Sequence, residues 1–402
     1  MNPPRSRRLP ATVVSLGIVS LFNDVASEMI YPLLPAFLAL ILGAGPAALG
    51  VVEGIAESTA SLGKAAFGWL SDRGGRRKRY VVAGYALSVV ARPLVAVAHA
   101  WGVVAAIRFV DRVGKGIRAA PRDAMIAGAV DPTRRGIAYG FERAMDNAGA
   151  LIGPLIAAAL LAFVTSDVRV VFGLAVVPGL IALGILLAGT RDEILAPAPS
   201  GPAEDVGAPL PRRFWWVVAI FTVFGLAYSS DAFLLLRARD LGMPMWQIPL
   251  LWSAFNGTKA ALNAPVGAWT DRRGRVPVIV AGWLLYAGVY AAFGRVRGTG
   301  GIWALFILYA VFYALTEGAQ RALVADLAGP LARGRAFGIF HMGVGLAALP
   351  ASLLFGILWK ARGARVAFDV DAVLALLSAA ALLAWHLRGR TGATPAVDTA
   401  DP

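Results

Sequence analysis

Charged residues recur inside long apolar stretches of this chain, where carboxylates and amines could bind ions or exchange protons. A charge inside a membrane is costly, so each of these residues is a candidate functional group. The acids are Asp24, Glu28, Glu53, Glu57, Asp111, Glu142, Asp146, Asp231 and Glu317. The bases are Lys64, Arg92, Arg108, Arg112, Lys115, Arg143, Lys259 and Arg321. Because acids and bases nearly balance, most could be paired in an internal polar cavity.

Helical spacing places several of these charges on shared faces. Asp24 and Glu28 are four residues apart, just before Tyr31 and two prolines. Two further stripes share a face at about 100° per residue: Glu53, Glu57 and Lys64 on one, and Arg108, Asp111, Arg112 and Lys115 on the other. A carboxylate that is removed from water favours its protonated form and can exchange a proton.

We therefore predict proton-coupling residues, listed as Asp24, Glu28, Glu53 and Glu57, then Asp111 and Asp146. Arg112, beside Asp111, is predicted to be its switchable partner. The alternative for any one acid is a static ion pair that only fixes helix positions. Charges are sparser in the second half, which favours a substrate site there. The substrate-site candidates are Tyr31, Lys64, Asp231, Asn256, Lys259, Glu317 and Arg321.

The elements that carry these charges are predicted to be membrane-spanning helices. Of the 402 residues, 58% are hydrophobic and 15% are charged, whereas soluble domains carry about 25% charged residues. A compact soluble enzyme is thereby excluded. Apolar stretches long enough to cross a bilayer centre on 12–41, 47–71, 80–98, 101–120, 136–164, 168–189, 214–236, 246–270, 277–294, 302–325, 336–359 and 366–387. The predicted class is an all-α polytopic membrane protein with twelve helices in two pseudo-symmetric six-helix bundles.

Residues 1–190 and 214–402 form the two predicted bundles, and the Pro-, Gly- and acid-containing stretch 191–213 is a predicted linker. Lys and Arg concentrate at one set of span ends, which predicts that both termini and the linker are cytoplasmic. The net charge of +14 is then a topology signal rather than a sign of nucleic-acid binding. Arg118, Arg122 and Asp123 are expected to be solvated topology charges. The apolar region from Ala11 is too long for a signal peptide and predicts an uncleaved first helix.

Two motifs repeat between the halves. Both copies of the first fit G-x-x-x-D-R-x-G-R: Gly68, Asp72, Arg73, Gly75 and Arg76, and again Gly267, Asp271, Arg272, Gly274 and Arg275. The second runs from Arg135 to Gly140 and is echoed from Arg333 to Gly338. Repeats related by an axis along the membrane normal are typical of one class of transporter. Asp72 could pair across to another helix and act as a gate, or it could only tie its basic loop together.

These residues resemble the Major Facilitator Superfamily over essentially the whole chain. The repeated motif is similar to that family's loop motif, and Arg112-Val-Gly-Lys-Gly116 is similar to its R-x-x-x-G motif. Gly140, Gly149, Gly153 and Pro154 resemble the motif of members that export solutes against protons. Where that pattern has two further glycines, Ala157 and Ala158 stand here. These small residues are also expected to pack helices closely, with a bend at Pro154.

The resemblance implies a secondary transporter, not an enzyme, working by alternating access and exporting a drug-like compound or metal ion against protons. The alternatives are uptake of an anionic metabolite held by Lys64, Arg112, Lys115 and Lys259, a membrane enzyme acting on lipids, or a sensor. No ATP-binding loop and no metal-ligand spacing occurs, and the chain has no cysteine. We expect no cofactor, no resident metal and no nucleic acid. The predicted partners are a small-molecule or ion substrate, protons and the lipid bilayer, for a monomer in a bacterial inner membrane.

Overall fold

The computed structural model describes residues 9–74, 77–190 and 209–391, and these ranges contain helices and no β-strand. Their membrane-length helices are α1 Ala11–Ile41, α2 Pro46–Gly74, α3 Arg77–Val97, α4 Trp101–Gly128, α5 Arg135–Phe163, α6 Val168–Gly189, α7 Arg212–Asp240, α8 Gln247–Arg273, α9 Arg275–Phe293, α10 Thr299–Gly329, α11 Gly334–Arg362 and α12 Ala364–Thr391. They confirm the predicted all-α polytopic class. Most of the predicted linker, 191–208, lies outside the described residues.

Apolar composition explains why these segments are helical, since a backbone in lipid must satisfy its own hydrogen bonds. Within the described ranges, nine helices are long and apolar enough to cross a membrane. The remaining three, α2, α4 and α8, are equally long but carry more charged residues. Large apolar side chains such as Leu40, Val97 and Phe163 are exposed on the outside of the bundle. Charged residues of α2 and α4 instead pair with one another, Glu53 with Arg108 and Glu57 with Arg112.

Several helices are interrupted close to the predicted polar sites. In α1 the α-helix ends at Ile30 and passes through a short 3₁₀ segment that contains Pro32. In α7 the α-helix stops at Ala227 and resumes at Ala232. Tyr228, Ser229, Ser230 and Asp231 occupy this break. Backbone groups that leave a helix are free to bind other groups inside the protein.

The most extensive contacts between the halves in the described residues are those of α2 with α11 and of α5 with α8. A Cβ atom at Gly50 would lie 2.3 Å from the Ser352 carbonyl oxygen, and one at Gly356 would lie 2.5 Å from the Pro46 oxygen. We call the end where α1 begins and α12 ends the terminal end, and the opposite one the distal end. Gly50 belongs to the distal part of α2. The halves are therefore in backbone contact near the distal end.

Candidate functional site

The N-terminal half contains buried ion pairs between neighbouring helices. Arg108 Nη2 of α4 lies 2.8 Å from Glu53 Oε1 of α2, and the two side chains are 9% and 1% exposed. Arg92 Nε of α3 lies 2.9 Å from Asp111 Oδ1, and its Nη1 donates to Asn23 Oδ1 at 2.9 Å. Removing one member of such a pair leaves the other charge buried without compensation. Glu53 and Asp111 are thus held as positioning groups between helices.

The partner of Arg112 differs from the prediction. Asp111 is adjacent in sequence but is bound to Arg92, whereas Arg112 Nη2 lies 3.4 Å from Glu57 Oε1 of α2. Neighbouring residues on a helix diverge by about 100°, so adjacent charges face different helices. The Glu57 side chain is half exposed, in contrast to buried Glu53. Arg112 with Glu57 is therefore the looser, more accessible pair.

The expectation that the charges at the terminal end of α4 are solvated is wrong for two of them. Arg118 is 5% exposed, donates to Ser88 Oγ at 2.8 Å and lies over the Tyr85 ring. Arg122 Nη2 lies 2.7 Å from Glu142 Oε1 of α5. The Asp123 side chain is half exposed. Residues at this end of α4 hold α3 and α5 in place rather than only marking topology.

Asp24 and Glu28 of α1 have no Lys or Arg within 4.0 Å among the described residues. Asp24 Oδ1 accepts from Asn23 Nδ2 at 3.0 Å. Glu28 Oε2 accepts from Trp252 Nε1 of α8 at 2.7 Å, so this bond crosses between the halves. Asp146 of α5 is intermediate, with Arg143 at 3.8 Å and Arg122 at 4.0 Å. The two acids of α1 are the least compensated of the predicted proton-coupling residues.

Asp231 lies in the break of α7 and is held by tyrosines. Tyr309 donates to its Oδ1 at 2.6 Å, and Tyr313 donates to its Oδ2 at 2.8 Å. Both tyrosines belong to α10. No basic side chain of the described residues forms an ion pair with Asp231. The sequence indicated the acid but not its tyrosines, because aromatic residues in apolar helices carry no distinguishing pattern.

Two polar cavities lie between the halves. The basic cavity has a volume of about 340 Å³ and is bordered by α5, α8, α9 and α10, with Arg143, Lys259, Arg275, Glu317 and Arg321 among its lining. The acidic cavity has a volume of about 290 Å³, and its lining includes Tyr31, Glu57, Asp231, Tyr313 and His341. The basic cavity reaches the terminal end at the α8–α9 turn. The molecule is therefore closed distally and open toward the terminal end.

The remaining substrate-site candidates do not all line a cavity, and one of them lies in the contact between the halves. Glu317 Oε1 lies 2.6 Å from Arg321 Nη2 on the same helix, in the basic cavity. Lys64 is exposed, and the Tyr31 ring lies 5.2 Å from the Trp252 ring at an interplanar angle of 48°. Asn256 is not in either cavity but in the contact between halves, where its Nδ2 donates to the Ala150 oxygen at 3.4 Å.

The glycine motif of α5 is a contact surface for α1. Cβ atoms at Gly149 and Gly153 would lie 2.5 Å from the Leu21 oxygen and 2.7 Å from the Val25 oxygen. These oxygens flank Asp24. Gly140 does not share this role, since a Cβ there would meet nothing within 4 Å. Small residues let the backbones of α1 and α5 approach closely.

Pro154 of the same motif has a consequence for the contact between halves. A proline inside a helix has no N–H and leaves the carbonyl four residues earlier without its helical partner. That carbonyl belongs to Ala150, which accepts the Asn256 amide from α8. Beside it, Ser253 Oγ donates to the Leu151 oxygen at 2.9 Å. The proline thus provides an acceptor that α8 of the other half uses.

The repeated loop motif is only partly described. Gly75 and Arg76 lie outside the described residues. At Gly68, Asp72, Arg73 and Asp271 the structure describes only the helical backbone. In the second copy Gly274 has φ +88°, which favours glycine, and turns the chain from α8 into α9. Arg275 Nε lies 2.5 Å from Asp326 Oδ2 of α10, within the same half. Gly267 lines the basic cavity, and Arg272 is exposed. The gating role of Asp72 stays a prediction.

Asp371 of α12 is a buried carboxyl that sequence reasoning missed. It is 1% exposed, and its Oδ2 has no hydrogen-bond partner in the described part of the chain. It faces Ser229 in the break of α7. The rule applied to the other acids could have found it, since Asp371 also stands within an apolar stretch. In the same ranges, no three His, Asp or Glu side chains come together as a metal site.

We expect Asp371→Asn to raise the apparent melting temperature, because a neutral amide of nearly the same size replaces a carboxyl whose charged form is costly to bury without a cation. The measurement is thermal unfolding of the purified protein in detergent. Asp369→Asn is the matched control on the same helix. Its carboxylate pairs with Arg295 at 2.5 Å and is one-third exposed, so its loss lowers stability by only about 0–1 kcal/mol. A larger loss in Asp371→Asn than in this control would contradict the prediction.

Sequence comparisons relate the chain to known transporters. The model of the Major Facilitator Superfamily matches residues 16–257 and 232–401. An uncharacterized MFS-type transporter of Methanocaldococcus jannaschii is 33% identical over 391 residues, which cover 95% of this chain and 96% of the relative. Multidrug resistance protein MdtH of Cronobacter sakazakii is 24% identical over 335 residues, covering 83% of this chain and 80% of the relative.

Solved structures show the same fold. A bacterial homolog of the human lysosomal transporter Spinster, in an inward-facing and unoccupied conformation, matches with a TM-score of 0.78. The match covers 98% of this chain and 100% of that one, at 16% sequence identity. At this identity the likeness concerns the arrangement of helices alone.

Proposed function

Since the chain belongs to the Major Facilitator Superfamily and is an integral membrane transporter, we propose that it exports a small organic solute in exchange for protons. The observation that carries this proposal is the pair of carboxylates on α1, Asp24 and Glu28. Neither forms an ion pair within the described residues, whereas Glu53, Asp111 and Glu142 are bound to arginines. An acid without a fixed cation can bind and release a proton without breaking the bundle.

The protonation state of Glu28 is coupled to the movement of the halves, because Glu28 forms a hydrogen bond between them. Its bond to Trp252 joins α1 to α8 on the closed distal side. A charge-assisted hydrogen bond is stronger than one to a neutral acid. Protonation of Glu28 therefore weakens a contact that keeps the distal side closed. Deprotonation restores this contact when the cavities are open at the terminal end.

The proposed direction is from the terminal end to the distal end. The positive-inside rule supports a cytoplasmic terminal end, so the cavities would admit substrate from the cytoplasm. The glycine motif of α5 and the distant multidrug resistance relative favour export. We propose a monomer in a bacterial inner membrane, with residues 1–190 and 214–402 as its moving halves. Aromatic side chains around Asp231 favour an organic solute over a metal ion.

A second candidate is uptake of an anionic metabolite. Lys64, Lys115 and Lys259 form no ion pair within the described residues. Three such ammonium groups near the cavities could bind an anion. Both functions are transport and differ in substrate charge and in the direction of proton movement. One assay therefore separates them.

We expect proton movement on substrate addition to fall to the level of protein-free liposomes in Asp24→Asn and Glu28→Gln, because an amide cannot exchange a proton. The measurement uses purified protein in liposomes with a trapped pH dye and an imposed proton gradient. Organic cations, organic anions, zwitterionic solutes and metal ions are added in separate panels. Asp131→Asn, an exposed acid in the loop after α4, is the control and should behave as wild type.

The outcomes separate the candidates clearly. A dye response to one organic panel that is lost in either α1 variant supports proton exchange and names the substrate charge. A response in which protons and an anion move together would favour uptake. Transport of labelled solutes without any dye response would overturn the proton-coupled proposal.

A further inference from the structure

Two uncompensated charges of opposite sign meet at Tyr313. Its hydroxyl donates to Asp231 Oδ2 at 2.8 Å, and its ring centroid lies 5.2 Å from Lys259 Nζ. Asp231 lines the acidic cavity and Lys259 lines the basic one. Their charges are close enough to interact, yet they form no ion pair. Tyr313 thus lies between Asp231, which lines the acidic cavity, and Lys259, which lines the basic cavity.

Both groups retain unused bonding capacity. A carboxylate can accept about four hydrogen bonds, and Asp231 accepts from Tyr309 and Tyr313. The Lys259 ammonium carries three donors, and in the described residues none of them binds an acceptor at hydrogen-bond distance. It lies over the rings of Phe255 and Tyr313 instead. The tyrosine hydroxyls orient the carboxylate, and the two rings position the amine.

Lys259 shares the basic cavity with Glu317, Arg143, Arg275 and Arg321. Glu28 is a further acid near Lys259, and its Oε2 is bound to Trp252. An organic cation without an acid group would meet the Lys259 ammonium without compensating it. An organic anion without an amine would meet Asp231 and Glu28. Only a molecule with both charges satisfies Asp231 and Lys259 together, since like charges in a low-dielectric site repel strongly.

We propose that Asp231 and Lys259 form a binding site for a zwitterionic solute that carries an aromatic or apolar group. The ammonium of the solute binds Asp231, and its carboxylate binds Lys259. Its apolar group packs on the rings of Tyr31, Tyr228 and Tyr313, which line the acidic cavity. This inference deepens the proposed export function and rests on it for the direction of transport.

The test measures equilibrium binding to the full-length protein in detergent by titration calorimetry. Three probes share the same benzyl side chain and differ in charge: phenylalanine is the zwitterion, its methyl ester is the cation, and N-acetylphenylalanine is the anion. We expect phenylalanine to bind at least about tenfold more tightly than either derivative, because each derivative leaves one charge of the site unpaired. Equal affinity for all three, tighter binding of the ester, or no binding of phenylalanine would overturn the proposal.

Variants assign each charge to its residue. Lys259→Met should bind phenylalanine and its methyl ester equally, because the carboxylate then has no partner. Asp231→Asn should bind phenylalanine and N-acetylphenylalanine equally. Lys360→Met, an exposed lysine at the distal end of α11, should keep the wild-type order of affinities. Discrimination that persists in Lys259→Met or Asp231→Asn would overturn the assignment.

The zwitterion site and the proton-coupled export can each be disproved independently of the other. If organic cations drive proton movement in liposomes but the three probes bind without preference, the zwitterion site is wrong and proton-coupled export stands. If the probes show the expected order but no solute moves protons, the site stands and the proposed coupling falls.

Discussion

Gly50→Ala is expected to shift the protein toward a state that is open at the distal end. The added Cβ would lie 2.3 Å from the Ser352 carbonyl oxygen and 3.0 Å from its carbonyl carbon. These are backbone atoms of α11, so no side-chain rotation relieves the clash. Overpacking of this kind costs about 1–3 kcal/mol, and about 1.4 kcal/mol is tenfold in an equilibrium. The equilibrium constant between the distally closed and distally open states should therefore shift toward the open state by about fivefold or more.

The chain has no cysteine, so single cysteines report opening without background labelling. Ser253→Cys lies in the α5–α8 contact, where Ser253 is buried. Asn263→Cys lies in the basic cavity and is exposed. In Gly50→Ala, maleimide labelling should become faster at position 253 and slower at position 263. A shift in both directions reports movement of whole halves rather than local damage.

Alanine is the suitable substitution because it favours helix over glycine by about 1 kcal/mol, so α2 itself is not weakened. Gly338→Ala is the matched control in α11, where a Cβ would meet nothing within 4 Å. It should leave both labelling rates unchanged. If position 253 stays protected in a folded Gly50→Ala protein, the α2–α11 contact does not control distal closure.

The sequence predicted the helices because lipid imposes a simple rule of length and composition. All twelve predicted spans correspond to helices, and the charged α2, α4 and α8 were found although their composition is less apolar. The α5 glycines at 149 and 153 were also predicted to pack closely. Gly140 belongs to the same motif, but a Cβ there would meet none of the described residues within 4 Å. Spacing identifies a helix face, but not which helix covers it.

The same limit explains the charged pairs. Periodicity placed Asp111 and Arg112 on one stripe, but the choice between Arg92 and Glu57 as partners depends on how α3 and α2 cross α4. The tyrosines that hold Asp231 come from α10, far away in sequence. Trp252 of α8 donates to Glu28 of α1, more than two hundred residues away in sequence. Contacts between halves arise only from tertiary packing, so no local pattern reveals them.

Glu53→Gln is expected to lower the apparent melting temperature strongly, because it leaves Arg108 charged and buried without a carboxylate. Breaking a buried pair by removing one partner costs about 3–5 kcal/mol. Glu53 also accepts from Ser230 Oγ of α7 at 3.4 Å through its other oxygen. The measurement is thermal unfolding in detergent. Glu317→Gln, which removes a partly exposed pair within α10, should cost only about 0.3–0.5 kcal/mol.

A double substitution separates the ion pair from a proton-coupling role for Glu53. Arg108→Met in a Glu53→Gln background removes the uncompensated charge, so stability should recover in large part, since apolar replacements of whole buried pairs are often neutral. A proton-exchanging Glu53 predicts the opposite pattern. Glu53→Gln would then be stable but inactive in proton movement, and adding Arg108→Met would not restore proton movement. Because the Arg108 Nη2–Glu53 Oε1 distance is 2.8 Å and Glu53 is 1% exposed, we expect the recovery of stability.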